Sequence, residues 1–237
     1  MREFQVWCAK EVGNTHHLAR QNCQDAVACL DAPDCIVGVV CDGSSSHKHS
    51  EVGSRLASRI VCTVLTRYET AKDISRFITE SIQMQLGNLA ASFPDLFAFN
   101  ITAFQAKAHA TNVWRLGDGV VMINGVEMKR SPSRYFDFSE RNNNPFEEWS
   151  ISTAELESLL IGSDGVAELD LRYSQTQADG QSMGRMADIL TLDQDAITRK
   201  LQSAQLSLIS DGVRRSGIIQ DDISLVVVRR VSIPGAD

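Results

Sequence analysis

The sequence predicts an α+β fold in which helices lie outside antiparallel sheets. Strand-like segments follow one another closely, and turn signals such as Asn124-Gly125 are typical of β-hairpins. Strands and helices do not alternate as they do in doubly wound nucleotide-binding folds. Neither the GxGxxG motif of dinucleotide-binding proteins nor the GxxxxGK[ST] motif of phosphate-binding loops occurs. These observations favour antiparallel sheets with segregated helices.

The elements of the N-terminal half follow from hydrophobic periodicity. Alternating side chains predict strands over residues 4–9 and 26–30. The nearly continuous apolar run over residues 35–41 predicts a strand that is buried on both faces. Apolar residues at every third or fourth position predict helices over residues 52–65 and about 73–89.

The C-terminal half returns to strand character over residues 101–110. Segments 113–116 and 120–123, which Asp118-Gly119 separates, are predicted to form a hairpin. Residues 129–150 contain two prolines and three consecutive asparagines, so we expect a flap-like loop over the sheet edge. The remaining predictions are a strand over 159–161, a helix over 197–209, a strand over 223–228, and one domain over 1–232 with a loose tail over 233–237.

The composition excludes several classes of protein. A chain of 237 residues with 43% hydrophobic residues fits one folded domain. The net charge of −7, without a basic stripe, argues against a nucleic-acid surface, and no apolar run approaches the roughly 18 residues of a membrane helix. The first residues lack the apolar core of a signal peptide, and the six cysteines form no CxxC pair. We therefore expect reduced thiols and a cytoplasmic protein.

Aspartates stand at the ends of several predicted strands. Asp42 and Asp164 follow apolar runs, Asp221 precedes one, and Asp118 lies in a turn. Carboxylates gathered at one sheet end repel each other, and Mg²⁺ or Mn²⁺ would relieve that repulsion. Two such ions could share a bridging carboxylate and activate a water molecule. The alternative is that each Asp-Gly is simply a turn, because the chain contains five of these dipeptides.

Five sequence elements carry a resemblance to a known family and stand in that family's order. They span almost the whole chain, and they are Arg20-Gln21-Asn22-Cys23-Gln24-Asp25-Ala26, Val39-Val40-Cys41-Asp42-Gly43, Leu116-Gly117-Asp118-Gly119, Leu160-Ile161-Gly162-Ser163-Asp164-Gly165 and Asp221-Asp222-Ile223-Ser224-Leu225-Val226. The chain resembles the metal-dependent protein phosphatases of the 2C class, particularly the compact bacterial type. The resemblance implies a four-layer α/β/β/α sandwich, with two antiparallel sheets packed face to face and helices outside.

The resemblance also implies an enzyme and its site. The reaction would be hydrolysis of phosphoserine or phosphothreonine by water activated between two Mn²⁺ or Mg²⁺ ions, without a phosphoenzyme. By position, Asp42 would bridge both ions, and Gly43 would offer its carbonyl. Asp164 and Asp221 would complete the first ion's ligands, and Asp118 would help to hold a third, weaker ion.

The resemblance implies that further residues support this site. Asp25 and Gln24 would accept hydrogen bonds from metal-bound waters, and Arg20 would clamp the substrate phosphate. Three residues depart from the family pattern: Gln24 replaces a common Glu, Ser44 replaces a His found in some members, and Glu168 replaces a common Asp. The expected partner is a phosphorylated protein, either a serine/threonine kinase or its targets, with no nucleic acid and no membrane. Two alternatives remain, namely a catalytically weak module that binds phosphoprotein and a small-molecule phosphomonoesterase.

Overall fold

The computed structural model describes residues 3–68, 73–140, 144–168, 189–190, 192, 195–197 and 220–231. These residues form two five-stranded antiparallel sheets with helices packed outside. Within the described ranges, no helix has both the length and the apolar character that crossing a membrane requires.

Each sheet collects strands from distant parts of the chain. The first sheet has the order β1-β10-β9-β6-β7, formed by β1 (Phe4–Glu11), β10 (Ile223–Arg230), β9 (Ser158–Gly162), β6 (Val120–Ile123) and β7 (Val126–Glu127). The second has the order β2-β3-β4-β5-β8, formed by β2 (Ala26–Asp31), β3 (Cys35–Gly43), β4 (Phe99–Lys107), β5 (Ala110–Leu116) and β8 (Glu147–Ser152). All pairings are antiparallel, as the sequence predicts, and the central strands β3 and β10 are almost fully buried.

The two sheets pack face to face through the alternate side chains of their central strands. On β3, Ile36 and Val40 face the other sheet and contact Val226 and Val228 of β10 within one apolar cluster. The intervening positions of β3 point the other way and belong to a different cluster. Burial on both faces explains why β3 reads as a continuous apolar run.

The outer faces of both sheets are covered. Helices α2 (Glu51–Arg67) and α3 (Ile74–Ser92) pack on the second sheet, and their four-residue apolar repeats join the odd-numbered side chains of β3. A short helix, α1 (Asn14–Ala19), precedes β2. The outer face of the first sheet packs against Val166, Ala167 and the described residues 189, 190 and 197. The α/β/β/α order predicted from the resemblance is thus confirmed.

The predicted hairpin of segments 113–116 and 120–123 is wrong. These segments are β5 and β6, which belong to different sheets. Gly117 between them has φ of 105°, a conformation that residues with a side chain rarely adopt. A side chain there would also meet Asn100 and the Arg134 carbonyl. The turn therefore carries the chain across the sandwich and leaves Asp118 at the end of both sheets.

The flap-like loop is shorter than predicted. Residues 129–140 and 144–146 have neither helix nor strand, but residues 147–150 belong to β8, whose side chains alternate in exposure as an edge strand does. The turn Asn124-Gly125 joins β6 and β7 with positive φ at both residues, and this hairpin prediction is confirmed. The predicted helix over 197–209, apart from Ile197, and the tail over 233–237 lie outside the described residues.

Candidate functional site

Three of the predicted aspartates meet at one end of the sandwich. Asp42 is the penultimate residue of β3, Asp118 lies in the crossover turn, and Asp164 follows β9. One carboxylate oxygen from each lies within 4.8 Å of the other two, and each residue is partly buried. Strands of both sheets end here, so aspartates that are far apart in sequence lie close together in the structure.

Asp221 lies beside this trio because of the pairing between β10 and β9. Asp221 is two residues before β10, and Ser163 donates its backbone N–H to the Ser224 carbonyl at 2.9 Å. The negative charge of Asp221 helps to raise the pKa of both Asp42 and Asp164. The fourth predicted ligand therefore stands at the same end of the sandwich, although its oxygens are outside the 4.8 Å trio.

Burial and mutual repulsion disfavour the charged form of these carboxylates. Burial first, and then the charges of Asp25, Asp164 and Asp221, raise the pKa of Asp42 well above its usual value. Burial and the charges of Asp221 and Asp118 raise the pKa of Asp164 to about 6. A divalent cation would remove both the repulsion and the need for protonation.

Asp25 extends this group of carboxylates inward from β2. Its side chain is buried, hydrogen-bonds the Asp42 carboxyl and accepts the Ser224 hydroxyl at 2.8 Å. Burial, followed by the charge of Asp222, raises the pKa of Asp25 to about 7. Asp25 stands one residue before β2, whose first residue pairs with Cys41, and this position accounts for its contact with Asp42.

The donor set fits a hard divalent cation. Among the described residues, the three side chains that could hold an ion here offer carboxylate oxygens, which suit Mg²⁺ or Mn²⁺ better than zinc. Gln24 is only 5% exposed, and its Oε1 has no hydrogen-bond partner among the described residues, while its Nε2 donates to the His47 carbonyl at 3.0 Å. A metal-bound water is a suitable donor for that orphaned oxygen. A Cβ at Gly43 would lie 2.6 Å from the Gln24 carbonyl oxygen, so glycine permits this close packing.

Asp222 and His16 organise the site, although neither residue was predicted to belong to it. The carboxylate of Asp222 is 1% exposed and accepts the backbone N–H groups of Gly13 at 2.7 Å and Gln24 at 2.6 Å. The His16 ring lies 2.9 Å from the same carboxylate and is also buried. Asp222 thereby ties the segment that carries Arg20, Gln24 and Asp25 to the strand end next to Asp221. The adjacent aspartates Asp221 and Asp222 were the sequence feature from which the role of Asp222 could have been predicted.

Asn100 is a second residue that the sequence analysis missed. It lies on β4 directly opposite Asp42, and its Nδ2 is 2.8 Å from Asp118 Oδ1 and 3.3 Å from Asp42 Oδ2. An amide that donates to two carboxylates holds them together and offsets part of their repulsion. Only the β3–β4 register reveals this contact, so no sequence signal could have found it.

Comparison with known protein families decides the family. A family model described as protein phosphatase 2C matches residues 12–213, which include all the elements of this site except the final strand end at Asp221. The chain belongs to the protein phosphatase 2C family. Its members are protein phosphatases, and this chain is accordingly a serine/threonine phosphatase by family. A search of curated protein sequences finds no match.

Solved structures of several bacterial proteins share the fold. A structure described as a bacterial serine phosphatase has a TM-score of 0.65 at 13% identity, over 97% of this chain and 99% of the other. The serine/threonine phosphatase Stp1 from Staphylococcus aureus gives 0.64 at 13% identity, over 97% and 96%. PppA of Pseudomonas aeruginosa gives 0.61 at 18% identity, over 96% and 98%. At these identities, the likeness concerns the fold.

Arg20 was predicted to belong to the site, but no contact among the described residues joins its side chain to the aspartates. It caps the end of α1 in a left-handed conformation with φ of 56°, and its side chain is exposed. Among the described residues, its guanidinium forms no salt bridge. Arg20 thus has a fixed backbone within the segment that Asp222 anchors, and its exposed guanidinium has no ion-pair partner in the described part of the chain.

The raised pKa values predict that Mn²⁺ stabilises this phosphatase more at higher pH. The pKa of Asp25 is about 7 and that of Asp164 about 6, against about 3.8 for an exposed Asp, so the folded protein without metal binds more protons than the unfolded chain. Their contribution to stability is therefore complete below about pH 4 and is lost as the pH rises through 6 and 7. Mn²⁺ binds the deprotonated groups and reverses this loss.

The measurement is the melting temperature with Mn²⁺ and with chelator, from pH 5 to pH 8. We expect the difference between the two to widen over this range. Potassium chloride at matched ionic strength controls for screening of the carboxylates. A difference that stays constant, or is largest at pH 5, would contradict this assignment of the carboxylates.

Proposed function

We propose that this protein hydrolyses phosphoserine and phosphothreonine monoesters in proteins, with water activated between two Mn²⁺ or Mg²⁺ ions. The observation that carries the proposal is the group Asp42, Asp118 and Asp164, with ligand oxygens within 4.8 Å and pKa values of Asp42 and Asp164 raised by burial and repulsion. The ions, when bound, supply a Lewis acid and lower the pKa of bound water.

The residues of this chain divide into ligands and supports. Asp42, at the end of β3, would be a ligand of both ions, and the Gly43 carbonyl would contribute to the second. Asp164 and Asp221, at the paired ends of β9 and β10, hold the first ion. Asp118 contributes to a third, weaker ion. These partly buried carboxylates would supply the negative charge that a divalent cation neutralises at this position.

Asp25 and Gln24 hold the water molecules in place. Asp25 accepts a hydrogen bond from a metal-bound water and is itself fixed by the Ser224 hydroxyl at 2.8 Å. The orphaned Oε1 of Gln24 accepts from a second water. Because an amide carries no charge, the second ion binds more weakly here than it would beside a glutamate.

Arg20 binds the phosphoryl group of the substrate. Its planar guanidinium can donate two parallel hydrogen bonds to phosphate oxygens, and its side chain is exposed with no competing ion pair among the described residues. The substrate is a phosphorylated protein, and the protein acts in the cytoplasm against a serine/threonine kinase or its targets.

Release of phosphate from a phosphothreonine peptide at millimolar Mn²⁺ tests this proposal. We expect Mn²⁺-dependent turnover that a chelator abolishes. Arg20→Ala should lower kcat/KM by roughly 10- to 100-fold, mainly through KM, because charge-assisted hydrogen bonds to phosphate are lost. Mn²⁺ affinity should not change.

Arg59→Ala is the matched control, since Arg59 is an exposed arginine within α2. Unchanged kinetics in Arg20→Ala would remove Arg20 from the site. Tight binding of the phosphopeptide without turnover would instead identify the protein as a binding module. Turnover of phosphorylated metabolites but of no phosphopeptide would favour a small-molecule phosphomonoesterase.

A further inference from the structure

An apolar groove of about 490 Å³ lies between α3 and the loop over residues 135–139. One wall is the C-terminal half of α3 with the short turn that follows it, and the other is the loop over residues 135–139. Small side chains on α3 at Gly87 and Ala91 leave the space, and Phe97, Tyr135 and Phe138 line it with aromatic surface. A cleft of this size and character is typical of a ligand site.

The chain at the start of β4 connects the groove to the aspartate cluster. The carbonyl of Ala98, which lines the groove, accepts the backbone N–H of Ser44 at 2.9 Å, and Ser44 is two residues after Asp42. Asn100, two residues beyond Ala98, pairs with Asp42. Two residues of extended chain span about 7 Å, so the groove begins about one dipeptide away from the metal ligands.

His47 lies between the groove and the aspartate cluster. Its carbonyl accepts Gln24 Nε2 at 3.0 Å, and its ring lies edge-on to Tyr135 with ring centroids 6.2 Å apart. On the opposite side, Phe136 donates its backbone N–H to the Phe99 carbonyl at 2.7 Å. The segment that contains His47 and the segment that contains Phe99 therefore contact both the groove and the surroundings of the aspartates.

The lining of the groove determines the kind of group that it accepts. The described lining residues include no Asp, Glu, Lys or Arg. The aspartate cluster next to it attracts the opposite chemistry, a divalent cation and the phosphate that the cation binds. A single occupant that satisfies both is a peptide with a phosphorylated residue and an apolar side chain a short distance away.

We propose that this groove binds an apolar side chain, such as Leu or Phe, that lies two or three residues from the phosphoresidue of the protein substrate. An extended peptide advances about 3.3–3.6 Å per residue, so such a side chain lies about 7–11 Å from the phosphoresidue. The proposal deepens the proposed function and rests on it. It makes the groove a determinant of substrate specificity.

Gly87 offers a direct test, because a Cβ built there meets no heavy atom within 4 Å. Gly87→Leu places a large side chain in the groove, whereas Gly87→Ala fills little of it. Both changes raise helix propensity, so Gly87→Ala is the matched control for stability. Ala91→Leu, one turn further along the same face of α3, is a second blocking variant.

The measurement is kcat/KM for phosphothreonine peptides that carry Leu or Ser at each position two or three residues before or after the phosphothreonine. We expect the wild type and Gly87→Ala to prefer one Leu peptide by about 10-fold or more. Gly87→Leu and Ala91→Leu should lose this preference. Hydrolysis of p-nitrophenyl phosphate, which has no flanking side chain, should stay the same in all four proteins.

Several outcomes would overturn the proposal. They are a wild type without any Leu preference, and blocking variants that both retain it. Blocking variants that change the sedimentation of the protein rather than its peptide preference would assign the groove to a second copy of the chain. Failure of the proposed function is distinguishable, because the wild type would then release no phosphate from any peptide or from p-nitrophenyl phosphate.

Discussion

Asp42→Asn is expected to lower phosphopeptide kcat/KM by about 10³-fold, a loss of about 4 kcal/mol of transition-state stabilisation. The substitution keeps the size of the side chain but removes the charge at the centre of a group that lies within 4.8 Å. Mn²⁺ affinity should fall together with activity. Steady-state kinetics and calorimetric Mn²⁺ titration measure the two effects.

The same variant should gain stability without metal. Asp42 is disfavoured as a carboxylate by burial and by Asp25, Asp164 and Asp221, and asparagine removes that repulsion. We therefore expect a melting temperature in chelator at pH 8 that is equal to or above that of the wild type. Asp31→Asn, at the exposed end of β2, is the control and should leave activity and Mn²⁺ affinity unchanged. A variant that retains both activity and Mn²⁺ affinity would contradict the role given to Asp42.

Arg115→Met should cause the largest loss of stability. Arg115 lies on β5 and is 0% exposed. Its guanidinium donates to the Glu147 carboxylate at 2.8 Å, to the Gly119 carbonyl at 3.1 Å and to the Lys129 carbonyl at 2.5 Å. Methionine retains the apolar stem but leaves these acceptors without their donor. We expect a loss of about 3 kcal/mol, or roughly 6–12 °C in melting temperature.

Arg76→Met is the matched control for this effect. Arg76 forms an ion pair with Glu80 at 2.8 Å on the exposed surface of α3, and such pairs contribute about 0–1 kcal/mol. Thermal and urea unfolding of both variants compare the two arginines. Equal losses in the two variants would show that the buried contacts of Arg115 do not stabilise the fold.

Arg115 also connects the loop over residues 129–140 to the turn that carries Asp118. It holds the Lys129 carbonyl at the start of that loop and the Gly119 carbonyl next to Asp118. Glu147 accepts both Arg115 and the Ser131 hydroxyl, which lies 2.7 Å away. The loop that lines the groove is thus fixed by the same arginine that supports the turn carrying Asp118.

The predictable part of the fold is the part that local pattern determines. The run over 35–41 identifies a strand buried on both faces, and the four-residue repeat identifies α2, because side-chain period reports burial directly. Asp42, Asp164 and Asp221 were identifiable for the same reason, since each lies at the end of an apolar run. Asn124-Gly125 was reliable because few residues adopt positive φ.

The missed features depend on how strands are placed in space. Segments 113–116 and 120–123 look like a hairpin, yet a glycine at φ of 105° sends them to different sheets. Asn100 is adjacent to Asp42 only through the β3–β4 register. The contact between His16 and Asp222 joins residues that are 206 positions apart. None of these long-range relations leaves a periodic signal in one sequence.

A crystal soaked in Mn²⁺ tests whether Asp42 lies between two divalent ions. Anomalous scattering locates Mn²⁺ without assuming its ligands. We predict at least two Mn²⁺ ions that share the Asp42 carboxylate, with Asp164 and Asp221 bound to one of them. Full occupancy by Mn²⁺ elsewhere in the molecule, with no ion bonded to Asp42, would show that Asp42 is not a metal ligand.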